Sequence, residues 1–169
     1  PPPDAVSQPR DLQQEQANLQ LVHQFYLDFF VRHDIAAAYR VVAPGYIQHN
    51  PNVADGRAAF VSYFTRYFAR HPQASSSISQ YVSFGDRVFL RVHSTADPDD
   101  RGRAIVDIFR VSHGRIVEHW DSVQDVPATA ENGNTMFQAG GQACTLRFDV
   151  RGWKIRDCTA TLEACLYSI

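Results

Sequence analysis

Two carboxylates and an imidazole in the second half of the chain have the residue types of an acid–base site. Asp107 lies in one alternating run, and His119 and Asp121 stand two residues apart in the next. A carboxylate among apolar neighbours has its pKa raised by desolvation, whereas a nearby imidazolium lowers it, so such groups can divide acid and base work. These three are our candidate catalytic residues. The alternative is an ordinary exposed ion pair on a sheet surface, since structural pairs also perturb pKa values.

The turn between the two runs decides whether these side chains meet. Residues 104–111 and 115–124 alternate and are joined by Ser112-His113-Gly114, which predicts a hairpin. A three-residue loop ending in Gly commonly forms a type I turn with a Gly bulge. That loop predicts Val111 opposite Arg115 and Asp107 opposite His119.

Alternation in this register predicts the composition of both faces of the hairpin. One face carries Ile105, Asp107, Phe109, Val117, His119 and Asp121; the other carries Ile108, Arg110, Ile116, Glu118 and Trp120. A two-residue loop would instead pair Asp107 with Trp120 and turn both candidates of the second run away from Asp107.

The elements that must position this hairpin follow from hydrophobic periodicity. Apolar residues three and four apart predict three helices, beginning near Asp11, Asp34 and Gly56, the last ending near His71. Asp11 is the predicted cap of the first helix. From residue 77 the period becomes two, which predicts strands over 77–84, 87–94, 104–111 and 115–124. Helices followed by a strand meander indicate an α+β fold, with three N-terminal helices packed on one face of an antiparallel sheet.

Two further histidines are candidates for binding substrate. His49 precedes Pro51 in a short extended segment, which would bring it to the mouth of a cavity, with a satisfied loop histidine as the alternative. His93 alternates with Arg91 and Phe89 on its strand and is expected to face the same concavity. No His-x-x-x-His or Cys-x-x-Cys pair occurs, and no dinucleotide or phosphate loop, so we predict neither a metal nor a cofactor. The alternative is a metal site assembled from separate positions, namely His49, His93, Asp107 and His119.

Length and charge limit the partners. The chain has 169 residues, a length that suggests one domain with or without an appendage, and its formal net charge is -2. Lys and Arg are scattered, and no apolar run approaches the ~20 residues of a membrane span, so neither nucleic acid nor a membrane is an expected partner.

Four motifs together resemble the SnoaL-like polyketide cyclase branch of the nuclear transport factor 2-like superfamily. The resemblance covers roughly residues 15 to 137. The motifs are Tyr46-Ile47-Gln48-His49-Asn50-Pro51 with Gly56-Arg57, Val106-Asp107-Ile108-Phe109-Arg110, Gly114-Arg115-Ile116-Val117-Glu118-His119-Trp120-Asp121, and Asn132-Gly133-Asn134-Thr135-Met136-Phe137.

The resemblance implies a conical α+β barrel, in which a strongly curved antiparallel sheet wraps around the three N-terminal helices and leaves a pocket at the wide end. Asp121 matches the acid/base of the family's aldol closure, and Asp107 and His119 match pocket-facing positions. His49 matches a polar motif residue, and Tyr46 and Phe109 complete the expected substrate-binding set. Relatives also include isomerases, epoxide hydrolases, dehydratases and non-catalytic scaffolds, so the fold alone does not fix the reaction.

We therefore expect a cofactor-independent enzyme acting on a small apolar or carbonyl-containing compound, of aldol cyclase or isomerase type. The alternatives are an exported hydrolase, in which a carboxylate activates water against an epoxide or glycosidic bond, and a non-catalytic ligand-binding module. An apolar strip of Ile108, Ile116 and Trp120 on the outer sheet face predicts a homodimer.

The chain is expected to divide into a flexible lead-in over 1–10, the pocket domain over 11–137 and a C-terminal β-hairpin extension over 138–169. All three cysteines lie in the extension. A turn at Arg151-Gly152 with Asp149 opposite Trp153 would place Cys144 opposite Cys158, which predicts a disulfide; Cys158 with Cys165 is the competing pair. A disulfide and a start without Met favour a secreted protein, with a cytoplasmic one as the alternative.

Overall fold

A computed structural model describes residues 10–137, 145–149 and 152–156. The first helix, α1, spans Leu12–Tyr26, and its last turn leads into a π-helical segment over Leu27–Val31. The other helices are α2, Ala36–Val41, and α3, Arg57–Arg70. The strands are β1 Val42–Gln48, β2 Ser75–Phe84, β3 Arg87–Thr95, β4 Arg103–Ser112, β5 Arg115–Asp125, β6 Thr145–Asp149 and β7 Gly152–Arg156.

The predicted α+β architecture of three helices on a sheet is confirmed, with one change in strand direction. Five strands form an open sheet in the order β1-β5-β4-β3-β2, and β6 and β7 pair separately. Strand β1 runs parallel to β5, so the sheet is mixed rather than purely antiparallel. The chain can add this parallel edge because α2 ends at Val41 and the next residues are already extended.

The start of α1 is fixed by the predicted cap. The Asp11 carboxylate accepts a hydrogen bond from the backbone N–H of Gln14 at 2.9 Å, which satisfies one of the free donors of the first turn. Two buried side chains of the helix, Glu15 and Asn18, then bond the backbone of Gly85 in the β2–β3 turn, at 3.0 and 3.2 Å. These contacts set how α1 lies across the sheet.

The core between helices and sheet is built largely from phenylalanine. Phe25 and Phe29 stack at 5.3 Å between ring centroids, and Phe29 stacks on Phe60 of α3 at 4.9 Å. The sheet contributes a buried row on β3, consisting of Val88, Leu90 and Val92. A core of this kind holds α1 and α3 at a fixed distance from the sheet and leaves room for a cavity beside it.

The β4–β5 turn differs from the prediction, although the consequence for the site is the same. Ser112 faces Arg115 across a two-residue turn, in which His113 and Gly114 have φ of 50° and 69°. These positive angles belong to the type I′ turn that suits hairpins. The irregularity lies further along, where Val117 is the extra residue between Ile116 and Glu118.

The displaced bulge moves the register by two residues relative to the prediction. Asp107 pairs with Asp121, and Phe109 pairs with His119. Because side chains alternate with a period of two, a shift of two keeps the predicted residues on one face. The exceptions lie at the bulge: Val117, predicted on the inner face, is the extra residue without a partner in the register. Ile116 precedes the bulge, faces inward and is fully buried, so its predicted place on the outer strip is wrong.

The C-terminal hairpin is present, in a register one residue from the prediction. Asp149 faces Gly152 rather than Trp153. The cysteines, and with them both candidate disulfides, lie outside the described residues, so the disulfide and the export that it favours stay predictions. No helix in the described part of the chain is long and apolar enough to cross a bilayer.

Candidate active site

A cavity of about 270 Å³ lies between the helices and the inner face of the sheet. Aromatic rings of the π-helical segment and α3 form much of its wall, among them Phe30, Phe60 and Phe64. One end is polar, because β4 and β5 present their inward-facing carboxylates and imidazole there. The volume lies near the lower end of the usual range for small-molecule sites, and an apolar wall with a few convergent polar groups is typical of them.

Asp107 and His119 form a buried hydrogen-bonded pair at the polar end. Nε2 of His119 lies 2.9 Å from Oδ1 of Asp107, and the two residues are only 7% and 5% exposed. Tyr26, at the end of α1, donates its hydroxyl to the other oxygen of Asp107 at 3.2 Å. Both oxygens of this carboxylate are therefore engaged, as a buried charge or carboxyl group requires.

The second carboxylate, Asp121, is half-buried and is held from β1. The side-chain amide of Asn50 donates to Oδ2 of Asp121 at 2.6 Å. Asn50 lies two residues beyond the end of β1, and the parallel pairing of β1 with β5 brings it to this end of the cavity. Candidate ligand atoms of Asp107, His119 and Asp121 all lie within 4.8 Å of one another.

Gln48 connects the buried pair to Tyr46 along the inner side of β1. Its Oε1 lies 2.9 Å from Nδ1 of His119, and its Nε2 donates to the Tyr46 hydroxyl at 3.1 Å. Because that hydroxyl accepts a bond from Gln48, its own hydrogen stays available on the cavity side, where Tyr46 lines the wall.

Burial keeps both tyrosines of this network neutral. Desolvation, with the nearby charge of Asp107 as the next cause, raises the pKa of Tyr26 well above its ordinary value. Tyr46 shows the same direction for the same two causes, with a smaller contribution from Asp121. Two neutral hydroxyls therefore adjoin the carboxylates at any pH near neutrality.

Five of the seven predicted site residues line the cavity: Tyr46, Asp107, Phe109, His119 and Asp121. Their placement agrees with the prediction, whereas their roles in catalysis and binding stay predictions.

The predicted place of His49 at the cavity is wrong. The inward-facing residues of β1 are Tyr46 and Gln48, so His49 emerges on the outer face, where its ring stacks on Trp120 at 4.6 Å. There His49 lies 2.8 Å from Glu118, which Arg110 also contacts at 2.6 Å. Bonds from His49 and then Arg110 lower the pKa of Glu118, against the cost of desolvation.

The predicted place of His93 is also wrong. Since Val88, Leu90 and Val92 point into the core, His93 projects from the opposite face of β3. Its Nε2 faces the backbone carbonyl of Arg101 at 2.8 Å, and its ring stacks on Phe137 at 4.3 Å.

Sequence reasoning missed three residues of the site, namely Tyr26, Gln48 and Asn50. A usable signal existed for the last two: in an extended segment, alternation places Gln48 and Asn50 on the same side as the aromatic Tyr46 and opposite His49. No local sequence pattern predicts the hydrogen bond from Tyr26 to Asp107, because the two residues are 81 positions apart.

The cluster of two carboxylates and an imidazole also has donor types that bind divalent cations. Nδ1 of His119 faces Oε1 of Gln48, and Nε2 is hydrogen-bonded to Oδ1 of Asp107. A cation bound by both His119 and Asp107 would take the place of the hydrogen in the second contact.

Comparison with known proteins places the chain in a family. The SnoaL-like domain profile matches residues 22–119, more than half of the chain, and the chain belongs to this SnoaL-like family. No curated protein sequence matches the chain.

Solved structures share the same fold. An NTF2-like protein of unknown function from Mesorhizobium loti is 27% identical, with a TM-score of 0.57 over 69% of this chain and 97% of that one. A proposed polyketide cyclase from Bacillus cereus is 17% identical, with a TM-score of 0.58 over 67% and 78% of the two chains. TsrD from Streptomyces laurentii is 22% identical, with a TM-score of 0.53 over 64% and 89%.

Proposed function

We propose that this protein is a cofactor-independent enzyme in which Asp121 is the general acid/base for a carbonyl compound, in aldol cyclase or isomerase chemistry. One observation carries the proposal. A half-buried carboxylate stands at the polar end of an aromatic cavity, held by Asn50 and close to the buried Asp107–His119 pair. A base needs access to substrate and a fixed orientation, and this arrangement supplies both.

The proposed reaction begins with loss of a proton next to a carbonyl group. Asp121 takes the proton, the C–H electron pair becomes the double bond of an enol or enolate, and the carbonyl π pair moves to oxygen. Either the enolate carbon then attacks a second carbonyl, whose π pair moves to its oxygen as the aldol bond forms, or an extended enolate is protonated at another carbon. Asp121 gives its proton to that oxygen or to that carbon, so the carboxylate is regenerated.

The cavity limits the class of substrate. Its volume and aromatic wall suit a compact apolar molecule with one or two carbonyl groups rather than an extended or charged one. In place of His49, Tyr46 is the proposed donor to the substrate oxygen, because its hydroxyl hydrogen is not used by the bond from Gln48. The fold shared with a proposed polyketide cyclase supports an aldol reaction of this kind.

Isotope exchange tests the proposed function without knowledge of the natural substrate. A panel of cyclic and linear 1,3-dicarbonyl compounds is incubated with the protein in D₂O, and carbon-bound deuterium is followed by NMR. We expect protein-dependent exchange next to the carbonyl for the compounds that fit the cavity. For comparison, the same protein is incubated with epoxides and glycosides in ¹⁸O-labelled water. Incorporation of ¹⁸O into a product, without deuterium exchange at carbon in the dicarbonyl compounds, would assign a hydrolase instead. Binding without either reaction would assign a ligand-binding module.

We also propose that the outer sheet face forms a homodimer. Ile108 and Trp120 pair on this face, and the exposed side chains of Val82 and Val106 extend the apolar strip. Sedimentation of the native protein should give twice the chain mass, and Val106→Asp should give the single-chain mass. A native protein that sediments as a single chain at high concentration would contradict this interface.

A further inference from the structure

The backbone fixes which way the Gln48 amide points. The N–H of Asn50 lies 3.0 Å from Oε1 of Gln48, and a backbone N–H only donates. The atom that meets it must therefore be the amide oxygen. The other end of the amide then donates Nε2 to Tyr46, as the 3.1 Å contact requires.

The orientation of Gln48 in turn fixes the tautomer of His119. Nδ1 of His119 lies 2.9 Å from the same amide oxygen, which only accepts. Nδ1 must therefore carry a hydrogen, because two lone pairs would otherwise face each other at hydrogen-bond distance.

One more proton has to lie between His119 and Asp107. Nε2 and Oδ1 are 2.9 Å apart, and neither a bare nitrogen nor an ionised carboxylate brings a hydrogen of its own to this contact. The pair is either imidazolium with carboxylate or imidazole with carboxylic acid. Both states have no net charge and contain the same protons, and only the position of one hydrogen differs. The titratable groups that face the pair are Tyr26 from α1, Tyr46 from β1 and Asp121 from β5.

Asp121 is arranged in the opposite way. The Asn50 amide is fixed like that of Gln48, because its Oδ1 accepts the backbone N–H of Asn52 at 2.9 Å, so its Nδ2 donates to Asp121. Asp121 meets a donor, whereas His119 meets an acceptor. The amide of Asn50 therefore orients Asp121 to take a proton. The amide of Gln48 holds His119 in a form that carries one.

We propose that Gln48 is a positioning residue that locks His119 in its Nδ1–H form, so that Asp107 and His119 hold one shared proton and act as the acid while Asp121 is the base. The acid role rests on the proposed function; the shared proton does not. In the reaction, Asp121 takes the proton from carbon, and the developing enolate oxygen takes the shared proton as the C=O π pair moves onto it. When the enol reacts, its oxygen returns the shared proton to the pair, and Asp121 gives its proton to the new alkoxide of the aldol or to another carbon, so both groups are restored.

The tautomer of His119 is directly measurable by NMR. Long-range ¹H–¹⁵N spectra of ¹⁵N-labelled protein distinguish protonated from bare ring nitrogens, with His119→Gln used for assignment. We expect Nδ1 of His119 to be protonated. His33 and His93 are internal controls, because their Nε2 atoms face the backbone carbonyls of Ala74 and Arg101 and must carry the hydrogen instead. A bare Nδ1 in His119 would overturn the proposal.

Substitutions at Gln48 separate positioning from simple packing. Gln48→Leu removes the acceptor, so the Nδ1–H signature should be lost, whereas Gln48→Glu keeps an oxygen at that place and should retain it. Gln80→Leu makes the same change at an exposed site on β2 and should leave His119 unaltered. An unchanged His119 spectrum in folded Gln48→Leu would contradict the role of Gln48.

Activity then distinguishes this inference from the proposed function. In the deuterium-exchange assay, Gln48→Leu should lower the rate at least about tenfold, and Gln48→Glu should recover part of the loss. No exchange in the native protein, with the expected NMR signature, would reject the proposed function and leave the shared proton standing. Exchange in the native protein that Gln48→Leu does not alter would reject the acid role alone. Stoichiometric metal in the purified protein would overturn the shared proton.

Discussion

Asp107 depends on a single phenol for half of its hydrogen bonding. Tyr26 donates to Oδ2 from a position that is 3% exposed. If the phenolic oxygen is removed, one oxygen of a buried carboxyl group is left without a partner. That cost exceeds the net value of an average hydrogen bond, because the desolvation of the group is no longer compensated.

Tyr26→Phe should therefore lower the free energy of unfolding by about 1–3 kcal/mol, measured by urea denaturation. Tyr39→Phe is the matched control: Tyr39 is 54% exposed, and the contact of its ring with Arg57 survives the change. The control should stay within about 0.5 kcal/mol of the native protein. Equal effects of the two substitutions would mean that the bond to Asp107 contributes nothing.

The individual residues of the site differ in how far sequence could predict them. Asp107, His119 and Asp121 were predictable because alternation alone places them on one face. A register shift by two or any other even number of residues leaves them there. His93 was misplaced because Phe89 made its side of β3 resemble the core side. The clean row of Val88, Leu90 and Val92 was the better signal, and it indicates the opposite orientation.

At the scale of elements, the position of the β-bulge sets the register of the β4–β5 hairpin, and the sequence does not reveal that position. The β4–β5 hairpin was predictable from its alternation and its Gly, whereas the extra residue at Val117 was not, because it leaves no special residue type behind. The parallel placement of β1 beside β5 was likewise hidden. A short extended segment carries no mark of its partner, and only packing of the helices brings it to that edge.

Gly102 is the element-scale position most sensitive to substitution. Its φ is +77°, and a Cβ at this position would lie 2.4 Å from the backbone oxygen of Ser94. Ser94, on β3, pairs with Arg103 at the start of β4, and both residues line the cavity. Backbone oxygen cannot move away as the end of a side chain can, so β3 and β4 would have to separate.

Gly102→Ala should destabilise the fold by about 1–3 kcal/mol more than Gly85→Ala, as overpacking does. Gly85 is the matched control, since its φ of +58° carries a similar conformational cost and a Cβ there meets nothing within 4 Å. Thermal and urea unfolding of the two variants supply the comparison. Equal losses would show that conformation alone, and not close approach of the strands, requires glycine at position 102.

At the scale of the whole molecule, the buried tyrosines couple folding to alkaline pH. The pKa values of Tyr26 and Tyr46 are raised in the folded protein, so both phenols keep their protons there. In the unfolded chain they ionise near pH 10. Their contribution to stability is therefore fully present below about pH 10 and is lost as the pH rises above it.

Urea denaturation between pH 8 and pH 11 should show this loss. Each tyrosine should contribute up to about 1.4 kcal/mol per pH unit to the fall in unfolding free energy once the unfolded phenol is ionised. Phenolate absorbance from these two residues should appear together with unfolding rather than before it. Tyr46→Phe should make the pH dependence shallower; an unchanged slope would mean that Tyr46 ionises within the folded protein.

The fold class was the most predictable property of the molecule. Helices with three- and four-residue spacing, followed by strands of period two, determine an α+β arrangement, and the motif order adds the family. The residues that line the cavity were less predictable, because the lining depends on which side chains of β1 face inward. A family and a fold do not specify a reaction, so the chemistry has to be tested at the site itself.

The rate of carbon–deuterium exchange in Asp121→Asn, relative to the native protein, tests the account most directly. Asp125→Asn is the matched control: it makes the same change four residues along the same strand, on a side chain that is 90% exposed. With a dicarbonyl compound that the native protein exchanges, Asp121→Asn should be slower by about 10²- to 10⁴-fold and Asp125→Asn should match the native rate. A folded Asp121→Asn that exchanges at the native rate would contradict the account.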